Sequence, residues 1–222
     1  NVMVGTVGNL EPGKGEFRSL FERFHKNPLF LGIRYGNLWE RDFHAGAGNP
    51  KVIADLKLLA EAGLTMDTAN PTPELLDDLN RLLDAVPKLR VVVDHLPRLN
   101  PPTDAAQRKA FDASLKKLAQ RPNLYAKLSG VPRPNAQGVV PPHPAFYKQR
   151  LDDLFGTFGE DRVVYGSDWP NSDNYAEYQV GFAIVKDYFS HKSPAAAEKY
   201  FWKNSIAAFR WVHRDPAQPK LG

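Results

Sequence analysis

Residues 50–95 read PKVIADLKLLAEAGLTMDTANPTPELLDDLNRLLDAVPKLRVVVDH, and the reading of this stretch decides the fold. Val52, Ile53, Leu56, Leu59 and Ala60 share one face of a helical repeat, and Gly63 stands where such a helix ends. LTMDTA (64–69) then reads as a strand. A second helix starts with Thr72 as its cap, Pro73 in the first turn and acids after it. RVVVDH (90–95) is the next strand, rich in valine. Strand, helix and strand in alternation call for parallel strands joined by helical crossovers.

The same rhythm extends in both directions. Strands are read at VMVGTV (2–7), FLGIRY (30–35), LYAKLS (124–129) and RVVYGS (162–167). Helical patterns occupy 16–24, 104–120 and 145–159, and a last helix is expected from Pro194 to Trp211 after a long loop. Strand starts are about 32 residues apart, so eight units would need about 256 residues plus a terminal helix. Six units are read here. Spacing alone fits either an open doubly wound sheet or a closed (β/α)8 barrel.

Composition excludes several classes. With 42% hydrophobic and 24% charged residues the chain is globular rather than disordered. No apolar run approaches the ~20 residues of a membrane helix. The net charge of +4 is spread out, with acids between the bases, so neither nucleic acid nor membrane is an expected partner. The absence of cysteine removes disulfides and thiolate chemistry, and leaves the compartment open, cytoplasmic or secreted.

In either parallel architecture the chemistry lies where strands end, and those ends are polar here. GNLEPGKG (8–15) comes close to a phosphate-binding loop, but residue 15 is glycine where a hydroxyl should bind Mg²⁺, and Pro12 removes an amide. It reads as a polar loop. With no G-x-G-x-x-G fingerprint either, no nucleotide cofactor is expected. No G-x-S-x-G elbow and no H-E-x-x-H helix occur.

Strict alternation places Val91, Val93 and His95 on one face and Asp94 on the other. His95 reads as a packed core histidine, a general base or a metal ligand. Asp94 would hold a neighbouring loop or orient the imidazole. Asp168 shares a face with Val164 and Gly166, and a carboxylate there must be paired, metal-bound or catalytic. Its plainer role is to cap a loop through Asn171, Ser172 and Asp173. Arg34 and Lys127, inside strands, imply an anionic ligand or a structural ion pair, with Asp67 as the candidate partner. His25, His44, His143, His191 and His213 read as surface residues.

VVVDHLPRL, LYAKLSG and RVVYGSDWPNSDN, in this order, resemble the amidohydrolase-related TIM-barrel hydrolases, in the branch with L-fuconolactonase and 2-pyrone-4,6-dicarboxylate lactonase. FLGIRYG and KYFWKNSIAAFRWV are similar to that branch as well, so the likeness runs from Val2 to Val212. The resemblance implies one amidohydrolase-like barrel domain over 1–222, holding the third through eighth strands and the closing helix. His95 then matches the family's sixth-strand histidine, and Asp168 its eighth-strand aspartate. Arg34, Lys127 and Arg133 match groups that contact a substrate carboxylate or carbonyl. Asp67, Trp169 and Asn171 join them as candidates for substrate contact. The family's first-strand H-x-H has no match in this sequence. About 60 preceding residues carrying it are expected from the barrel's eight units.

The implied reaction is hydrolysis of a lactone, ester or related carbonyl compound, with Asp168 as general base. His95 would polarise the carbonyl or, with Asp168, bind one divalent metal such as zinc. The substrate would be a small molecule carrying an acidic or polyhydroxyl group. A decarboxylase on the same barrel and a catalytically silent binding barrel are the alternative readings.

Overall fold

Six parallel strands stand side by side in chain order: β1 Thr6–Gly8, β2 Phe30–Arg34, β3 Thr65–Thr68, β4 Arg90–Val93, β5 Leu124–Ser129 and β6 Val163–Gly166. The computed structural model describes residues 3–135 and 137–218. The first strand was expected to begin at Val2, which lies outside the described residues; the strand itself starts at Thr6. A doubly wound sheet reverses its strand order at a switch point. No reversal occurs here, so the sheet is a singly wound arc that fits a partial (β/α)8 barrel.

Strand pleating sorts side chains to two faces. Ile33, Met66, Val91, Val93, Leu128 and Val163 face the helices and join one large core. Val92, Tyr125 and Val164 face inward and form a second cluster with Ala208, against which Phe209 packs. The helices are α1 Phe17–Phe24, α2 Phe43–Ala47, α3 Pro50–Glu61, α4 Pro73–Ala85, α5 Ala105–Ala119, α6 Ala145–Phe158, α7 Tyr178–Ser190, α8 Pro194–Glu198 and α9 Asn204–Phe209. The expected start signal operates, since Thr72 accepts from the Leu75 amide; the structure adds a second cap, Asn49, which accepts from the Lys51 amide at the start of α3.

Two expectations are corrected. The stretch after β6 contains α7, which starts after Glu177 without a side-chain cap and is apolar around much of its circumference. The last helix is not continuous. A π turn (Lys199–Lys203) separates α8 from α9, and Arg210 turns left-handed (φ 53°) to end α9 at Phe209. The chain then crosses toward β1, where Arg214 and Gln218 donate to main-chain carbonyls of Met3 and Val4. Thr65 Oγ1–H donates to the Ala208 carbonyl at 2.8 Å, so α9 floors the inner face.

Candidate functional site

The C-terminal ends of β4, β5 and β6 bring four side chains together. β4 ends at Val93 and His95 adopts a left-handed conformation (φ 55°), which breaks the alternation expected for it. Val91 and Val93 face the helices as a pair, whereas His95 is turned to the strand ends. Asp168 is also left-handed (φ 62°). His95 Nε2 and Asp168 Oδ1 lie 3.4 Å apart, with both side chains under a tenth exposed. The second Asp168 oxygen accepts from Arg98 Nη2. Asp168 caps the following loop through its main-chain carbonyl, which accepts from the Ser172 amide at 2.9 Å. Its carboxylate is thereby left for His95 and Arg98.

Ser129, fully buried on β5, fixes the imidazole. Its hydroxyl accepts from the His95 amide at 3.3 Å and lies 2.8 Å from Nδ1, within reach of its own hydrogen. The tautomer that uses both contacts, with Ser129 donating to Nδ1, carries the ring proton on Nε2, toward Asp168. Burial pushes the His95 ring down to about 4, and the Arg98, Lys127 and Arg34 charges add to the fall against the pull of Asp168. The ring is neutral at physiological pH. Gly130 (φ 58°) lies where the Arg98 guanidinium crosses β5, a place where a side chain would meet both strain and the arginine.

Below this group, Arg34 and Lys127 face two almost wholly buried carboxylates. Arg34 donates to Asp67 at 2.7 Å and to Asp94 at 2.6 Å; Lys127 reaches Asp67 at 2.8 Å and Asp94 at 2.5 Å. Gly166 leaves room for this square, since a Cβ there would lie 2.9 Å from Lys127 Cδ. Burial pushes the Asp94 carboxyl well above its ordinary range, with the Asp67 charge adding to the rise against Lys127 and Arg34. For Asp67, burial opposes ionisation, but Lys127 and Arg34 outweigh it and hold the carboxyl low. Asp67 is therefore an ion-pair partner of both cations. Asp94 joins the square and does not touch the imidazole, a place that Ser129 takes.

The remaining candidates are placed apart. Trp169 is 62% exposed, its amide bound to Ser167 Oγ, and Asn171 is exposed, its carbonyl accepting from Asn174. No hydrogen bond links either side chain to His95 or Asp168 among the described residues. Arg133 stacks on the Tyr175 ring at 4.8 Å and has no carboxylate partner among the described residues. It lines a cleft of about 590 Å³ with Arg98, Phe146, Tyr147, Arg150 and Tyr175. The loop at 8–15 turns the Gly13 amide onto the buried Asp55 carboxylate, 2.8 Å away, where a phosphate would be repelled. His44, His143, His191 and His213 are exposed as expected, but His25 is half-buried and stacked on Phe21 at 4.8 Å.

Ser129 and Arg98 escaped the reading of the sequence. A serine ending a strand carries no periodic signal, and Arg98 lies in a one-turn helix, Leu96–Arg98. The signal available was the basic residue in DHLPR, directly after a polar strand end. For a metal, the described residues offer His95 and Asp168 together, whereas zinc takes about four ligands. Among the described residues no group of three or more metal-capable side chains assembles, and Arg98 already holds one Asp168 oxygen. The described donor set does not by itself fit the ion.

A singly wound parallel arc with its polar cluster at the strand ends fits part of a TIM-class barrel. A model of the amidohydrolase family matches residues 4–211, and the chain belongs to that family. It is 34% identical over 154 residues to an L-fucono-1,5-lactonase of Burkholderia ambifaria, a match covering 66% of this chain and 48% of that protein. The chain thus spans about half the length of that curated relative. Among solved structures, a zinc-bound amidohydrolase from Burkholderia multivorans superposes with a TM-score of 0.77 at 18% identity, covering 94% of this chain and 74% of that one. A Pseudomonas putida protein described as a 2-pyrone-4,6-dicarboxylic acid hydrolase gives a TM-score of 0.67 at 21% identity, over 95% of this chain and 73% of that one. Among the described residues no helix is long and apolar enough to cross a membrane.

Proposed function

We propose that this chain carries the water-activating site of a lactone hydrolase. The observation that supports it is the Asp168 carboxylate, set between the His95 imidazole and the Arg98 guanidinium. Arg98 fixes one oxygen, and the other takes a proton from the water that attacks the ring carbonyl. His95, given its tautomer by Ser129, turns its Nε2–H to the oxyanion that forms. Collapse breaks the bond between acyl carbon and ring oxygen, and Asp168 returns the proton to the departing alkoxide. One lactone and one water give one hydroxy acid.

Arg34 and Lys127 are matched by Asp67 and Asp94, so their charge serves first to order the inner face. Recognition of an acidic or polyhydroxyl group on the substrate falls instead to Arg133 in the cleft. The test incubates the protein with L-fucono-1,5-lactone, other sugar lactones and a 2-pyrone dicarboxylate, each with zinc and with chelator, following acid release. Ring opening of one class supports the reading. A folded protein that opens none in any arm overturns it.

A further inference from the structure

The turn that carries both His95 and Arg98 is gripped from the cleft wall, by a residue that does not itself touch His95 or Asp168. Arg150 of α6 donates from Nη2 to the Leu96 carbonyl at 3.1 Å and to the Leu99 carbonyl at 3.0 Å. It forms no ion pair among the described residues, and its buried Nε has no hydrogen-bond partner there. A half-buried guanidinium that passes over carboxylates for two main-chain oxygens has a cost in desolvation and in pairing. Burial accordingly pushes the Arg150 guanidinium below its ordinary range.

Leu96 and Leu99 sink their side chains into the core, but the main chain of the turn is held by few bonds of its own. Its internal bonds run from the Arg98 amide to the His95 carbonyl at 2.8 Å and from the Leu99 amide to the Leu96 carbonyl at 3.1 Å. His95 opens it in a left-handed conformation that a non-glycine residue keeps only when its surroundings enforce it. Ser129 secures the His95 end, and Arg150 secures the Leu99 end. Arg98 lies between the two grips, and the two residues that meet Asp168 are spaced by this turn.

We infer that Arg150 is a positioning residue: by clamping Leu96 and Leu99 it sets the distance between His95 and Arg98 so that both engage Asp168 at once. The inference rests on the catalytic reading above for its kinetic effect, but the clamp is measured without substrate.

Hydrogen exchange followed by mass spectrometry on peptides covering 94–101 compares the wild-type protein with Arg150→Met and Arg150→Lys. Exchange in this segment is expected to rise roughly tenfold in Arg150→Met, with α3, α4 and α5 unchanged, and to rise less in Arg150→Lys, which keeps one donor. With a turned-over lactone, kcat falls roughly 100-fold in Arg150→Met, well beyond any change in KM from its place in the cleft wall, as displaced reacting groups require. Unchanged exchange at 94–101 overturns the clamp, and so does a rise spread over the whole chain. If the wild type opens no lactone, the exchange result still decides the clamp and the failure belongs to the hydrolase reading alone.

Discussion

His95 and Asp168 meet across 3.4 Å, Nε2 to Oδ1, and each holds a left-handed backbone with φ of 55° and 62°. Conformations of this kind cost roughly 1–3 kcal/mol per residue and persist where neighbouring contacts enforce them. Asparagine tolerates this region better than histidine but cannot supply the imidazole. His95→Asn is therefore expected to leave the melting temperature within about 3 °C of wild type, yet to cut kcat by at least about 100-fold. Calorimetry and initial rates check both halves.

The pH profile follows from the burial of the same ring. His95 is pushed down to about 4, so lactone opening should hold steady from pH 7 to pH 5 and fall only near 4. Below that point the imidazolium pairs with Asp168 and removes the base. An ordinary, exposed histidine would place the fall near 6.5. Stability carries the same sign. The unfolded chain takes up the proton first as pH drops through about 6.5, so wild type loses stability relative to His95→Asn between there and about 4. Urea titrations of the two proteins at pH 7 and pH 5 measure the difference.

The square beneath the site predicts a cost that depends on pH. Lys127→Met leaves two almost wholly buried carboxylates sharing Arg34 alone. At pH 8 the loss is expected at about 3–5 kcal/mol. Asp94 is the acid already pushed upward, so it takes a proton as pH falls and the loss shrinks toward pH 5. Chemical denaturation at the two pH values tests this; an equal loss at both would contradict the shared role of the carboxylates.

Arg133 separates binding from chemistry. With no carboxylate partner among the described residues and a stacked Tyr175 beside it, it is poised to receive a charged group. Arg133→Ala is expected to raise KM for a carboxylate-bearing lactone about tenfold or more with kcat little changed, and to affect a neutral sugar lactone less. Steady-state kinetics on one substrate of each kind decide it.

Parts of this site were legible in the sequence because buried charge forces a partner. Arg34 and Lys127 inside strands pointed to Asp67, and the structure makes that pairing. Strand–helix alternation was legible for a different reason: valine-rich runs between amphipathic segments have few other solutions. The choice between sheet types was not, because it rests on strand order, which spacing does not encode. Side-chain direction failed at His95, where the strand stops at Val93 and a left-handed residue resets the pleat. Arg98, Ser129 and Arg150 stayed hidden because each acts through contacts between elements distant in the chain: 70 residues separate Arg98 from Asp168, 34 separate His95 from Ser129, and 54 separate Leu96 from Arg150.

The most direct measurement is the rate of lactone opening by Asp168→Asn beside wild type. The amide keeps the size and the left-handed backbone but cannot take the proton of water. A fall in kcat/KM of at least about 1000-fold, with the melting temperature within a few degrees of wild type, is the predicted result. Activity within about tenfold of wild type in a folded Asp168→Asn protein would contradict the assignment of Asp168 as the general base.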